Sequence, residues 1–389
     1  MRNVKIGIIG CGVISHTYIS NIKSMFQWLD IVACASGHVE KAKAVAEKYS
    51  IPNAYTVEEL LADSEIEIVI NLTTPDAHTE INQKILNAGK HVYCEKPFAL
   101  NLKDAKETLE LAKSKGLMVG CAPETFLGAG LQTCRKAIDE GWIGRPIAAT
   151  VNMISHGVET WHASPEFYYK RGGGPMLDMG PYYLTAMVAL LGPISQTACF
   201  SSIGNKTRTI YSNPLRGNKI NVEVPTTYTG IMEFESGVHA NINMSFDVWL
   251  SNLPKFEIYG TEGTLFVPDP NMFGGKIKIF RKERVLDSLN SSFYGGKEVN
   301  YSRNYEDLQE LPQIYEEPLE YMRGLGVLDM AFALVNGRKH RTSEDLIYHV
   351  TEALLSFDTA VRNDVVYKMQ STCSRPKPMP TGLAFGELD

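Results

Sequence analysis

Short apolar runs alternate with stretches of helical spacing through the first 120 or so residues. Val4–Ile9 reads as a buried strand and residues 13–26 as a helix. Residues 31–35 form the next strand, and 38–49 a helix with Ala42, Val45 and Ala46 on one face. Thr56-Val57-Glu58-Glu59 fits a capping box, in which threonine and the third-position glutamate satisfy open N–H groups of a short helix. The alternation continues with a strand at 66–72, a helix at 77–88 and a strand at His91–Cys94. A helix opened by Asn101 and stopped by Gly116, then a strand at 117–121, close the series. Repeated β-α-β units predict an α/β fold, a doubly wound parallel sheet with helices on both faces.

After about Pro123 the pattern changes. A helix at 128–140 ends at Gly141, and strands then dominate at 146–155, 228–234, 238–246, 255–260 and 264–267. Ser236-Gly237 and Glu262-Gly263 mark hairpin turns, so these strands are expected to pair antiparallel. Residues 201–222 and 287–313 read as long surface loops, 319–336 and 343–362 as helices. The last 20 residues carry three prolines and are expected to wrap the surface. Two domains follow: a doubly wound domain over 1–122, and an α+β domain over 123–389 with a large, mostly antiparallel open sheet. An open sheet leaves a face to bury, which predicts a homodimer or homotetramer.

Composition narrows the function. Hydrophobic residues make up 44% and charged residues 21%, with a net charge of −6. The chain lacks the basic footprint that nucleic acid or an acidic membrane surface requires. No apolar run reaches membrane-spanning length, and the start Met-Arg-Asn-Val4 shows no leader pattern. The seven cysteines are scattered and never spaced C-x-x-C, which fits a reducing compartment and a cytoplasmic location. The nine histidines show no H-x-x-H spacing, so no metal site is expected. Hydrolase and kinase motifs are absent too.

Gly10-Cys11-Gly12-Val13-Ile14-Ser15 lies between the first strand and the first helix. There Gly10 permits a tight turn, and Gly12 lets a pyrophosphate approach the backbone where Val13 and Ile14 open the helix. Ser15 stands where a third glycine is usual. The second strand ends in Ala35-Ser36-Gly37-His38, without the carboxylate that binds both ribose hydroxyls of NAD. Ser36, Gly37 and His38 could contact a 2′-phosphate, so NADP(H) is favoured and NAD(H) stays open. The turn has no arginine, and Lys41 or Lys43 would have to swing in.

Three further stretches carry a resemblance: Thr74-Pro75-Asp76-Ala77-His78, Glu95-Lys96-Pro97, and Gly172-Gly173-Gly174-Pro175-Met176-Leu177-Asp178-Met179-Gly180-Pro181-Tyr182. With the glycine loop, in this order and spacing, the whole chain resembles the Gfo/Idh/MocA oxidoreductases. The resemblance implies a nicotinamide-binding Rossmann domain followed by a substrate-binding and oligomerisation domain, and a sugar, sugar derivative or polyol as substrate. It puts Lys96 near the nicotinamide and the reacting oxygen, Glu95 near the nicotinamide ribose, and Asp178 on the substrate or on a catalytic neighbour. The family pattern Asp-x-Gly-x-His often ends in a histidine acid/base; here that position is Tyr182. This departure places the chain nearer the glucose–fructose oxidoreductase and sugar- or dihydrodiol-dehydrogenase branches.

Hydride transfer at a carbinol carbon needs a proton moved at the oxygen, and Lys96 and Tyr182 are the expected carriers, with Asp178 positioning one of them. Thr74, Pro75 and His78 are candidates to line the cofactor, although His78 could equally be a helix-face residue. Asp178 could also cap a helix beginning near Met179, and Tyr182 could be a core tyrosine. Residues 156–171 are aromatic, and Trp161 and His162 are candidates to stack on and read a sugar ring; a hydrophobic lid or subunit contact is the alternative. The glycines 172–174 would allow close backbone approach or act as a hinge. Two other readings of the whole chain are a non-catalytic NAD(P)-binding sensor and a glycosidase that oxidises its substrate transiently.

Overall fold

The computed structural model describes residues 2–284, 308–314, 322–363, 365–382 and 386–389. Its first sheet holds β1 (Val4–Ile9), β2 (Leu29–Ala35), β3 (Asn53–Tyr55), β4 (Ile68–Asn71), β5 (His91–Cys94) and β6 (Val119–Cys121). The order β3-β2-β1-β4-β5-β6 is parallel throughout. Strands covered on both faces read as continuous apolar runs, and β4 is buried at every position. The crossovers are α1 (Val13–Met25), α2 (Val39–Tyr49), α3 (Val57–Ala62), α4 (His78–Asn87) and α5 (Leu102–Lys115). The capping box at α3 is present in full: Thr56 Oγ1 accepts from Glu59 N at 3.2 Å, and Glu59 Oε2 accepts from Thr56 N at 2.8 Å.

After α6 (Ala129–Asp139) come β7 (Pro146–Ile154), α7 (Gly174–Asp178), α8 (Gly180–Leu191) and β8 (Ile194–Ser202). The strands β9 (Thr207–Thr209) and β10 (Lys219–Asn221) precede β11 (Thr227–Phe234), β12 (His239–Ser245), β13 (Phe256–Gly260), β14 (Gly263–Val267), β15 (Ile277–Arg281) and β16 (Gln309–Leu311). The helices α9 (Leu325–Asn336) and α10 (Glu344–Asn363) and the short β17 (Tyr367–Lys368) follow. The second sheet has nine strands in the order β16-β15-β14-β13-β7-β12-β11-β8-β17.

The second sheet is mostly antiparallel, as expected. The exception among its described pairs is β7 with β12, which run parallel. Hairpin turns constrain only consecutive strands, and the chain between these two is a long excursion through α7, α8 and four strands. Residues 201–222 are not simply a surface loop: β9 and β10 pair there, and Arg208 is buried between Glu159 and Asp247. Of the expected loop at 287–313, residues up to 307 lie outside the described residues, and 309–311 form β16. The expected helix at 319–336 begins at Leu325 in the described part.

The second sheet alternates. On β11, Tyr228, Gly230, Met232 and Phe234 are buried, while Thr229 and Ile231 are exposed. The buried face carries α10, with Phe357 so close to Gly230 that a Cβ there would lie 2.9 Å from the ring, and α8 packs on α10. The late helices also reach the edge of the first sheet, where Glu344 accepts from Val119 N at 3.1 Å. The carboxyl ends of β5 and β6 lie beside α8, where Lys96, Cys121 and Ala122 share a cavity with Pro181 and Thr185. No helix among the described residues is long and apolar enough to cross a membrane.

Candidate active site

The glycine loop sits where β1 meets α1. Gly10 has φ +109°, and a Cβ there would lie 2.5 Å from the carbonyl carbon and oxygen of Leu72 at the end of the neighbouring strand. A side chain is excluded both by conformation and by space. A Cβ at Gly12 would meet nothing within 4 Å, so its glycine answers no need of the polypeptide itself. Ser15 is buried and donates to Gly12 O at 2.6 Å, tightening the loop where a third glycine is usual. The first turn of α1 has no acidic residue and no side-chain cap, which leaves backbone N–H groups and the helix dipole for an anion. Val13 is exposed and Ile14 half-buried. These features fit a dinucleotide pyrophosphate. Beyond β2, Gly37 and His38 are exposed, and Ser36 Oγ accepts from His38 N at 3.3 Å. Lys43 is paired with Glu40 at 2.9 Å.

After β4, Thr74 is exposed and Pro75 half-buried. His78 is 1% exposed, with Nδ1 donating to Pro97 O at 2.7 Å and Nε2 to Thr73 O at 3.1 Å. Burial alone would lower its pKa, but the Cys94 thiol and the two carbonyls hold it up to about 9. Carbonyl oxygens only accept, so a ring bonded through both nitrogens suits the doubly protonated form. The expectation that His78 lines the cofactor is therefore corrected: it lies behind the loops and ties the one after β4 to the one after β5.

The turn after β5 brings the chemistry together. Lys96 Nζ donates to Asp178 Oδ1 at 2.8 Å and to Asp178 O at 2.6 Å, and lies 5.2 Å from the centroid of the Tyr182 ring. Lys96 N donates to Glu95 Oε2 at 2.9 Å, and Tyr18 donates to Glu95 Oε1 at 2.8 Å. Burial pulls the Lys96 pKa down, but Asp178, Tyr182 and Glu95 outweigh it, so the group is raised and stays an ammonium. Asp178 ends α7, and Met179 occupies the N-cap of α8, so Asp178 is not that helix's cap. Tyr182 sits in the first turn of α8, 6% exposed, and its hydroxyl accepts from Arg323 Nη2 at 2.9 Å.

Two of these partners were not foreseen. Arg323 lies just before α9, in a stretch without a motif, and nothing in the sequence marks it. Glu124 follows β6 and accepts from Gly324 N at 2.9 Å and from Tyr93 at 3.2 Å. Its place at the carboxyl edge of the sheet, the rule that singled out Lys96, was a usable signal.

The segment from 156 to 172 lies against the cofactor-side loops. Phe167, Arg171 and Gly172 share a cleft of about 830 Å³ with Thr74, Pro75 and Asn101. Trp161 is 66% exposed, and His162 is half-buried among the rings of Trp161, Phe167 and Tyr168 at 5.2–5.7 Å. Burial and the Asp178 charge push the Tyr168 phenol up to about 12, with Lys96 opposing, which puts Tyr168 next to the central cluster. Gly173 is needed, since a Cβ there would lie 2.4 Å from Tyr168 O. Among the described residues no group of three or more His, Cys, Asp or Glu could hold a metal ion.

Comparison with known proteins agrees with this geometry. Residues 4–122 match the model of an oxidoreductase family with an NAD-binding Rossmann fold, and 131–266 match the GFO/IDH/MocA C-terminal domain. A 1,5-anhydro-D-fructose reductase from Ensifer adhaerens is 30% identical over 267 residues, 67% of this chain and 74% of that protein. A trans-1,2-dihydrobenzene-1,2-diol dehydrogenase from Bos taurus is 28% identical over 266 residues, 68% of this chain and 74% of that one. Levoglucosan dehydrogenase in complex with NADH and L-sorbose superposes with a TM-score of 0.76 at 19% identity, covering 95% of this chain and 100% of that one. The two matched models, which together cover well over half of the chain, make it a member of the Gfo/Idh/MocA family of oxidoreductases.

Proposed function

We propose that the chain transfers a hydride between NADP(H) or NAD(H) and a sugar, sugar derivative or polyol, with Lys96 and Tyr182 handling the proton at the reacting oxygen. The observation that carries this reading is the Lys96 ammonium held by Asp178 against the Tyr182 ring. An ammonium has three N–H donors. Two point at Asp178, which leaves one for a substrate oxygen. As a persistent cation Lys96 polarises that oxygen, and Tyr182 exchanges the proton with it. Asp178 positions Lys96.

The bound nicotinamide supplies or takes up the hydride. Gly10, Gly12, Val13 and Ile14 would hold its pyrophosphate, and Thr74, Pro75 and Glu95 would border the nicotinamide half. Ser36, Gly37 and His38 would meet the adenosine ribose. The exposed, carboxylate-free turn after β2 supports NADP(H) over NAD(H). Trp161 and His162, beside Tyr168, would stack on the ring of the substrate.

The test follows reduced-nicotinamide absorbance with both coenzymes, in both directions, against 1,5-anhydro-D-fructose, levoglucosan, L-sorbose, aldoses and inositols. Turnover with at least one is expected, faster with NADP(H). Lys96→Met and Tyr182→Phe should each lose roughly 100-fold or more in kcat while binding coenzyme within about threefold of wild type. Wild-type turnover in both variants would falsify the assignment.

A further inference from the structure

We propose that Arg323, braced by Glu124, is a positioning residue that fixes the Tyr182 hydroxyl for proton exchange with the substrate. The inference rests on the reading of Tyr182 as a proton carrier.

Arg323 is 5% exposed and Glu124 fully buried. A guanidinium taken out of water is strongly destabilising unless paired, and the obvious partner is the Glu124 carboxylate. Arg323 Nη1 nevertheless stands 3.7 Å from Glu124 Oε2, beyond hydrogen-bond length, and among the described residues makes no hydrogen bond. The shorter contact goes to the phenol: Nη2 donates to the Tyr182 hydroxyl at 2.9 Å. Glu124 meanwhile accepts from Gly324 N and from Tyr93. The carboxylate thus anchors the backbone next to Arg323, while the guanidinium side chain serves Tyr182.

This geometry has a chemical consequence. Arginine carries only donors, so the Tyr182 oxygen must accept from it, and the phenol's own proton points elsewhere. The Tyr182 ring also lies between two cations, with Lys96 Nζ and the Arg323 guanidinium carbon each 5.2 Å from its centroid. The Arg323 bond therefore fixes the direction in which the phenol's proton can be passed.

The experiment is a double-mutant cycle of Arg323 and Tyr182, with levoglucosan and 1,5-anhydro-D-fructose as probes in the two directions. Arg323→Met should lower kcat roughly 10- to 100-fold, the factor expected for losing a hydrogen bond to a charged donor. Coenzyme KM should stay within about threefold. Arg323→Lys, which keeps a donor and the charge, should recover part of the rate. In a Tyr182→Phe background the Arg323→Met change should cost nothing further. Because Arg323→Met strands a buried carboxylate, the pair Arg323→Met/Glu124→Gln is tested alongside and should show the same kinetic pattern. Multiplying effects of the Arg323 and Tyr182 changes, or an Arg323→Lys variant no faster than Arg323→Met, overturn the proposal. If Tyr182→Phe alone turns over like wild type, the reading of Tyr182 as proton carrier has failed, whatever Arg323 does.

Discussion

At the scale of single residues, the positions that matter are those whose chemistry has no local substitute. Gly10 is one: its φ of +109° and the 2.5 Å approach to Leu72 both forbid a side chain. Gly10→Ala should therefore destabilise the protein by about 2–4 kcal/mol, from backbone strain and overpacking together. It should also weaken coenzyme binding, because the loop must move away from β4. Thermal unfolding and coenzyme titration on the same sample check this, and unchanged Tm with unchanged affinity would show that the loop tolerates the methyl. Lys96 and Asp178 stood out as residues in the sequence, but their bond did not, since 82 positions separate them. His78 shows the opposite case. Its motif drew attention as a cofactor contact, and the fold uses it as a brace.

At the scale of elements, legibility followed amphipathicity. The half-buried helices α2 and α5 have a polar face, and their boundaries were read closely from spacing and caps. The helix α8 is buried on all twelve residues, so its sequence has no polar stripe to betray a period. The hairpin of β9 and β10 escaped notice because each strand has only three residues. It is pinned by Arg208, which pairs with Glu159 and Asp247 and donates to Phe246 O at 2.7 Å. Burial opposes the Asp247 charge, but bonds from Thr226 and Thr227 at 2.7 Å and the Arg208 charge hold its pKa below 3.8. A depressed folded value means that the ionised form stabilises the fold above the ordinary pKa and loses that effect as pH falls through the folded one. Wild type should thus melt higher than Asp247→Asn at pH 5–7, and the gap should close below 3.8. A gap that persists undiminished to pH 2 would show that the carboxylate charge is not what holds the hairpin.

At the scale of the whole molecule, the two sheets share their environment. Late helices of the second half cover the edge of the first sheet, and the site forms where β5 and β6 end against α7 and α8. The outer face of the second sheet stays open, with Ile231 63% and Phe200 83% exposed beside paired asparagines such as Asn243 and Asn152. We infer that a second copy covers this face in a homodimer or homotetramer. Size-exclusion with light scattering at micromolar concentration should give at least a dimer, and Ile231→Lys should shift it toward monomer. A wild-type monomer would end that inference.

The sequence by itself determined what local periodicity and short-range chemistry encode. The parallel first sheet, its capped helices, the glycine loop and the Glu95-Lys96-Pro97 turn all follow from residues within a few positions of one another. Only the tertiary structure decided that β7 runs parallel to β12, that Lys96 is held by Asp178, and that Arg323 and Glu124 stand behind Tyr182. Those facts depend on contacts between segments 80 to 200 residues apart. No local pattern records such a contact, because a buried charge is accommodated only by the partner that the fold brings to it.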